Sequence, residues 1–167
     1  MLIFDSSTLI LIAKVELLDT FLKGIGMEIA IPKAVEDECC GGKKTLDALF
    51  IRRALDESRI KVRVVRNRKL VTKLEEDFNM GRGESEAIAL ALEEKALLVG
   101  IDDKNGMNAC KLAGIPFTTA IGILVRSREK GLIGDGDALV KLSALAKFGW
   151  YRNDLLEEAK LRLKEQP

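Results

Sequence analysis

The sequence predicts an α/β fold built on a mostly parallel sheet covered by helices on both faces. Three observations carry this reading. Short apolar runs recur along the chain, too continuous for strands with one wet face. Longer stretches with helical spacing lie between them. Strand and helix alternate in this way as far as residue 118.

The elements follow in order. Leu2-Ile3-Phe4 reads as a strand buried on both faces, and Asp5 ends it. Ser6, Ser7 and Thr8 offer N-caps for a helix through Leu9 to Ile12, so capping does not require Asp5. Helical spacing continues over Leu17 to Leu22, with Gly24 and Gly26 closing it. Met27 to Ile31 is the second strand, and Pro32 suits the first position of the next helix, which stops at Gly41-Gly42. Residues 44–57 form an amphipathic helix. Lys61 to Val64 alternates, as an edge strand does. Arg66, Arg68, Lys69 and Lys73 follow on a helix. Gly81 and Gly83 precede a helix whose residues 87–92 are apolar almost all round. Ala96 to Ile101 and Ile115 to Thr118 are the last strands, around a helix from Asn105 to Ala113. Helices at 119–130, 135–147 and 152–165 end the chain. All 167 residues read as one domain, with the helices from about 119 packed on it.

Composition limits the chemistry. Hydrophobic residues make up 47% and charged residues 32%, as in an ordinary water-soluble chain. Lys plus Arg number 27 against 26 Asp plus Glu, so binding of a polyanion needs a local patch. There is no histidine, which excludes Ser-His-Asp and Cys-His catalysis and histidine-ligated zinc. Cys39, Cys40 and Cys110 have neither zinc-site nor disulfide-framework spacing, which agrees with a reducing, cytoplasmic setting. No apolar run is long enough to span a bilayer, and Asp5 interrupts the N-terminal run too early for a signal peptide.

Four acids stand out by position. Asp5 and Asp102, with Asp103 beside it, each follow a buried strand, at the sheet edge where α/β proteins build sites. Glu38 shares the apolar face of Ala34 and Val35, whereas Glu36 and Asp37 point elsewhere and read as solvated. Glu84 lies opposite the face shared by Glu86 and Glu93, so it points inward at the first turn of its helix. As an alternative, Glu84 is a capping acid at a wet rim. If the strands before Asp5 and Asp102 are neighbours, Asp5, Glu38, Glu84 and Asp102 converge on one crevice. Oxygen ligands suit Mg²⁺ or Mn²⁺, ions that activate water and stabilise charge on a phosphoryl group. The densest basic region is Arg59, Lys61, Arg63, Arg66, Arg68, Lys69 and Lys73. It reads either as a contact surface for RNA phosphates or as an ordinary solvated face.

The ordered motifs resemble the PIN domain, a nuclease family that includes the VapC-type toxins. Asp5-Ser6-Ser7 is similar to the family's opening aspartate, and Pro32-x-x-Val35-x-x-Glu38 to its second acidic motif. Gly81-x-Gly83-Glu84-x-Glu86-Ala87-Ile88-Ala89 is similar to the third, and Ile101-Asp102-Asp103-Lys104 to the fourth. The tail from Ile121 resembles a prokaryotic PIN-like subgroup. The resemblance implies a three-layer α/β/α sandwich and a Mg²⁺ or Mn²⁺ ribonuclease site. Its catalytic acids would be Asp5, Glu38, Glu84, Asp102 and Asp103, with Asp5, Glu84 and Asp102 on the metal. It further implies cleavage to 5′-phosphate and 3′-hydroxyl ends, homodimers and, in the toxin branch, an antitoxin protein as partner. Met107 departs from the pattern, where relatives would carry an arginine. The competing functions are a PIN-like module that binds RNA or protein without cutting, and a phosphatase-like hydrolase acting on small esters.

Overall fold

The computed structural model describes residues 1–164, so the end of the helix expected to reach 165 and the domain's last residues, 165–167, lie outside the described part. Five strands form one parallel sheet: β1 (Leu2–Phe4), β2 (Ile29–Pro32), β3 (Lys61–Arg63), β4 (Leu98–Gly100) and β5 (Phe117–Thr118). Their order is β3-β2-β1-β4-β5, with β1 in the centre and β3 at an edge. The chain therefore builds outward from β1 on one side, then returns to β4 on its other side. That reversal makes the carboxyl ends of β1 and β4 the topological switch point, where open α/β sheets form their crevices.

The helices are α1 (Ser6–Lys14), α2 (Leu18–Gly24), α3 (Lys33–Cys40), α4 (Leu46–Asp56), α5 (Arg68–Phe78), α6 (Arg82–Glu93), α7 (Lys104–Ala113), α8 (Ala120–Glu129), α9 (Asp135–Phe148) and α10 (Asn153–Lys164). Alternation along β1 divides the core. Leu2 and Phe4 join one apolar cluster with Leu9, Ile12, Ile51 and Leu124, while Ile3 joins another with Val71, Ile88, Leu90 and Val99. All three β1 side chains are fully buried, and each such burial is worth roughly 1.5–3 kcal/mol. Leu142 and Leu145 of α9 and Leu163 of α10 sit in the first cluster, so the last helices close over that face.

Register at the switch point is tight. Phe4 pairs with Gly100, and a Cβ at Gly100 would stand 2.4 Å from the Phe4 ring. Only glycine lets β4 approach that closely. Two local expectations are corrected. Pro32 closes β2, paired with Arg63, and caps α3 instead of opening it. Arg66 precedes α5, which begins at Arg68 after Asn67 caps it.

Candidate active site

Asp5 leaves the end of β1 fully buried. Its backbone N–H donates to the Gly100 carbonyl (2.9 Å), which locks the ends of β1 and β4 together. Its side chain is the N-cap of α1, a role the sequence assigned to the serines. The Thr8 N–H donates to Oδ1 (2.8 Å) and the Ser7 hydroxyl to Oδ2 (2.6 Å). These bonds favour the charged form, but burial outweighs them. Together with the charge of Asp102, burial lifts the carboxyl to about 7.

Asp102 lies just beyond β4 and is held on both oxygens. The Ala120 N–H, at the start of α8, donates to Oδ2 (2.8 Å), and the Tyr151 hydroxyl donates to Oδ1 (2.6 Å). Burial nonetheless raises this carboxyl, against the bonds from Tyr151 and Ala120 and the nearby Thr8 hydroxyl. Burial also raises Tyr151, reinforced by the charges of Asp102 and Asp5, so its proton stays on the phenol. Tyr151 was not foreseen; it lies 49 residues beyond Asp102, in the α9–α10 connection. The buried Thr8 hydroxyl lies near enough to both aspartates to favour their charged forms, but among the described residues it completes no hydrogen bond.

The other acids form a second group. Glu38, on α3, accepts the Gly83 N–H (3.1 Å). A Cβ at Gly83 would fall 2.4 Å from the Glu38 carboxylate, so the carboxylate keeps this place against α6 only because residue 83 has no side chain. Glu84 is half-buried, and burial first, then the charges of Glu38 and Asp103, raise its carboxyl; N–H groups at the start of α6 oppose this. Asp103 caps α7 through the Gly106 N–H (2.9 Å), leaving Asp102 as the residue turned toward α8 and Tyr151. Ser7, Glu84, Asp102 and Asp103 line one crevice of about 1030 Å³. Met107 lines it too, where an arginine was expected.

The acids thus share the carboxyl edge of the sheet as two groups, Asp5 with Asp102 and Glu38 with Glu84 and Asp103. They are not gathered around one point. Among the described residues, no three Asp, Glu or Cys side chains stand close enough to hold a single ion. Each carboxylate is turned instead to the backbone or hydroxyl donors just named.

One sequence expectation changes here. Glu86, read as part of a polar face, is 1% exposed. Arg68 (2.6 Å) and Arg82 (3.0 Å) bond its Oε1, and the Ala34 N–H donates to Oε2 (3.3 Å). Burial works to raise this carboxyl, but the two arginines and Ala34 overcome it and hold it low. The basic stretch is largely neutralised. Arg59 pairs with Asp19 and Glu57, Lys61 and Arg63 with Glu28, and Arg68 with Glu86. Arg66, Lys69 and Lys73 are exposed and make no side-chain ion pair among the described residues. None of the seven lines the crevice.

The family model described as a PIN domain matches residues 1–166. With the parallel sheet and its acidic switch point, this settles the class: the chain belongs to the PIN domain family. PIN domains are in general nucleases that act with divalent metals. No curated protein matches the chain. No helix among the described residues is long and apolar enough to cross a membrane.

The residues fit such a metal in their chemistry. The available donors are carboxylate oxygens, the hard ligands that Mg²⁺ and Mn²⁺ take. Asp5 is fully buried and Asp102 partly so; neither is paired with a cation among the described residues, and an unsatisfied hydroxyl lies near both, a place where positive charge is favoured.

Proposed function

We propose that the protein is a Mg²⁺- or Mn²⁺-dependent endoribonuclease that hydrolyses RNA phosphodiester bonds. The observation that carries this reading is the pair Asp5 and Asp102 at the switch point, desolvated and without a cation of their own. Asp5 and Asp102 would hold the ion directly, and Glu84, from the neighbouring group of acids, would reach it through a bound water. When bound, a divalent ion lowers the pKa of water and stabilises charge on the phosphoryl group. Ser7 and Thr8 keep the Asp5 carboxylate aimed by donating to it, and Tyr151 and the start of α8 do the same for Asp102. Glu38 and Asp103 lie beside Glu84, and their negative charge would help to retain a cation and their oxygens would orient a water by accepting its hydrogen bond. Within the family, toxins paired with antitoxin proteins and homodimers are the assemblies this reading favours, and co-purification and solution mass measurements test them.

The decisive experiment is cleavage of single-stranded RNA with Mn²⁺ or Mg²⁺, against EDTA and Asp5→Asn. Metal-dependent cleavage with 5′-phosphate and 3′-hydroxyl ends is the expected result. Cyclic 2′,3′-phosphate ends, or full activity in EDTA, would return the acids to a structural role.

A further inference from the structure

Glu84, Asp102, Asp103 and the chain's one tryptophan line the same crevice. Trp150 is 105% exposed relative to a free side chain, an unusual state for a large aromatic residue. The backbone that carries it is nonetheless anchored. The next residue, Tyr151, is tied to Asp102 by a 2.6 Å hydrogen bond. The preceding residue, Gly149, packs so close to the Tyr151 ring that a Cβ would stand 2.4 Å from it. An indole held out to solvent, one residue from a group bonded to a candidate metal ligand, is a flat face presented beside the candidate site.

The same crevice carries cations of the right kind. Lys14, Lys104 and Lys111 line it, are exposed and have no carboxylate partner among the described residues. The Lys14 ammonium sits 5.4 Å from the centre of the Phe148 ring, close to the loop that bears Trp150. Arg152 and Arg162 also line the crevice but are paired with Asp154 and Glu129. This is the reverse of the Arg59–Lys73 stretch, where most charges are already answered and none reaches the crevice. Exposed aromatic faces combined with unpaired lysines are how proteins hold single strands: bases stack on the ring and phosphates meet the cations.

We infer that this crevice is the track for single-stranded RNA, with Trp150 stacking on an unpaired base and Lys14, Lys104 and Lys111 meeting the flanking phosphates. The inference rests on the nuclease reading for the identity of the strand. A duplex hides its base faces and is excluded from the stack. Stacking tolerates any base, so the track selects single-strandedness and not sequence.

The sole tryptophan makes the test direct. Trp150 fluorescence is titrated with a ten-nucleotide oligouridylate in EDTA, where binding is read without cleavage. Saturable quenching is expected, weaker by tenfold or more when the strand is annealed to its complement. By anisotropy of labelled oligouridylate, Trp150→Ala lowers affinity about tenfold and Trp150→Phe restores most of it. Lys14→Ala with Lys111→Ala flattens the logarithmic salt dependence by about 1.4, the share of two phosphates on a single strand. Binding by anisotropy with no change in Trp150 emission, or with full affinity in Trp150→Ala, overturns the track. So does emission that shifts with protein concentration alone, which would assign the indole to contact between copies. Cleavage of RNA with Mn²⁺ but no response at Trp150 overturns the track and leaves the nuclease reading standing. Binding through Trp150 without cleavage in any divalent metal overturns the nuclease reading and leaves the track standing.

Discussion

Glu86 and Asp5 are buried carboxylates with exposures of 1% and 0%, and the fold treats them in opposite ways. Glu86 receives two guanidinium groups and a backbone N–H and is held low. Among the described residues Asp5 receives two hydrogen bonds and no positive charge; it has Asp102 for a neighbour and is lifted to about 7. The first is a finished interaction that ties α6 to α3 and α5. The second is unfinished electrostatics, with negative charge buried where only a ligand could answer it. Burial of an acid therefore does not identify a site; burial without a compensating cation does.

The largest effect that tests this contrast is on stability. Between about pH 4 and about pH 7 the folded protein holds a proton on Asp5 that the unfolded chain has released. Folding stability should then fall as pH rises through that window, by an amount of the order of 4 kcal/mol. Thermal melts in EDTA should show a lower melting temperature at pH 7.5 than at pH 5. Asp5→Asn should remove most of the slope. Glu86 has the opposite sign: its contribution is present above the ordinary glutamate range and is lost only as pH falls below it. A flat profile in wild type would remove the contrast.

Activity should separate the two acids next. Asp5→Asn should cut metal-dependent RNA cleavage at least about a hundredfold while melting no lower than wild type at pH 7.5 in EDTA. Glu86→Gln should lose about 1–3 kcal/mol of stability through its broken charged bonds, yet keep cleavage within a few-fold at temperatures where it is folded. Equal losses of cleavage in both variants would make Glu86 part of the site.

A smaller effect concerns the second group of acids. Gly83→Ala places a methyl against the Glu38 carboxylate, which swings aside at little cost because it ends a flexible side chain. Stability should change by less than about 1 kcal/mol, since alanine also favours the helix. Cleavage should fall about ten- to a hundredfold if the position of Glu38 matters. Unchanged cleavage would confine the site to Asp5, Asp102 and Glu84.

The smallest expected effect is at Tyr151. Tyr151→Phe removes the hydroxyl that favours ionised Asp102, so the Asp102 carboxyl should rise further above its ordinary range. Cleavage should fall about tenfold, with the acid limb of its pH profile moved to higher pH. A drop without that movement would show that the phenol packs the α9–α10 connection and does not tune the aspartate.

Much of this was legible along the chain. The strands announced themselves because a parallel sheet buried on both faces needs unbroken apolar runs, and Asp5 and Asp102 were visible as the acids that end two of them. Glu38 and Glu84 were visible as acids set among apolar helix positions. Glu86 was misread because only Arg82 among its partners stands on its own helix: Arg68 comes from α5 and the Ala34 N–H from α3. The basic stretch looked like a charged surface because Asp19 and Glu28, which answer Arg59, Lys61 and Arg63, belong to distant segments.

By itself the sequence determined the α/β alternation, the acids at the strand ends, the chemistry open to a chain without histidine, and the likeness to PIN domains. Those are properties of neighbours along the chain. Only the tertiary structure decided which charges are answered. It placed β4 beside β1, brought Tyr151 across 49 residues to Asp102, joined Trp150 to the acidic crevice, and closed Arg68 and the Ala34 N–H onto Glu86. Electrostatic compensation acts through space over a few ångströms, and no local pattern records which distant side chain will arrive there.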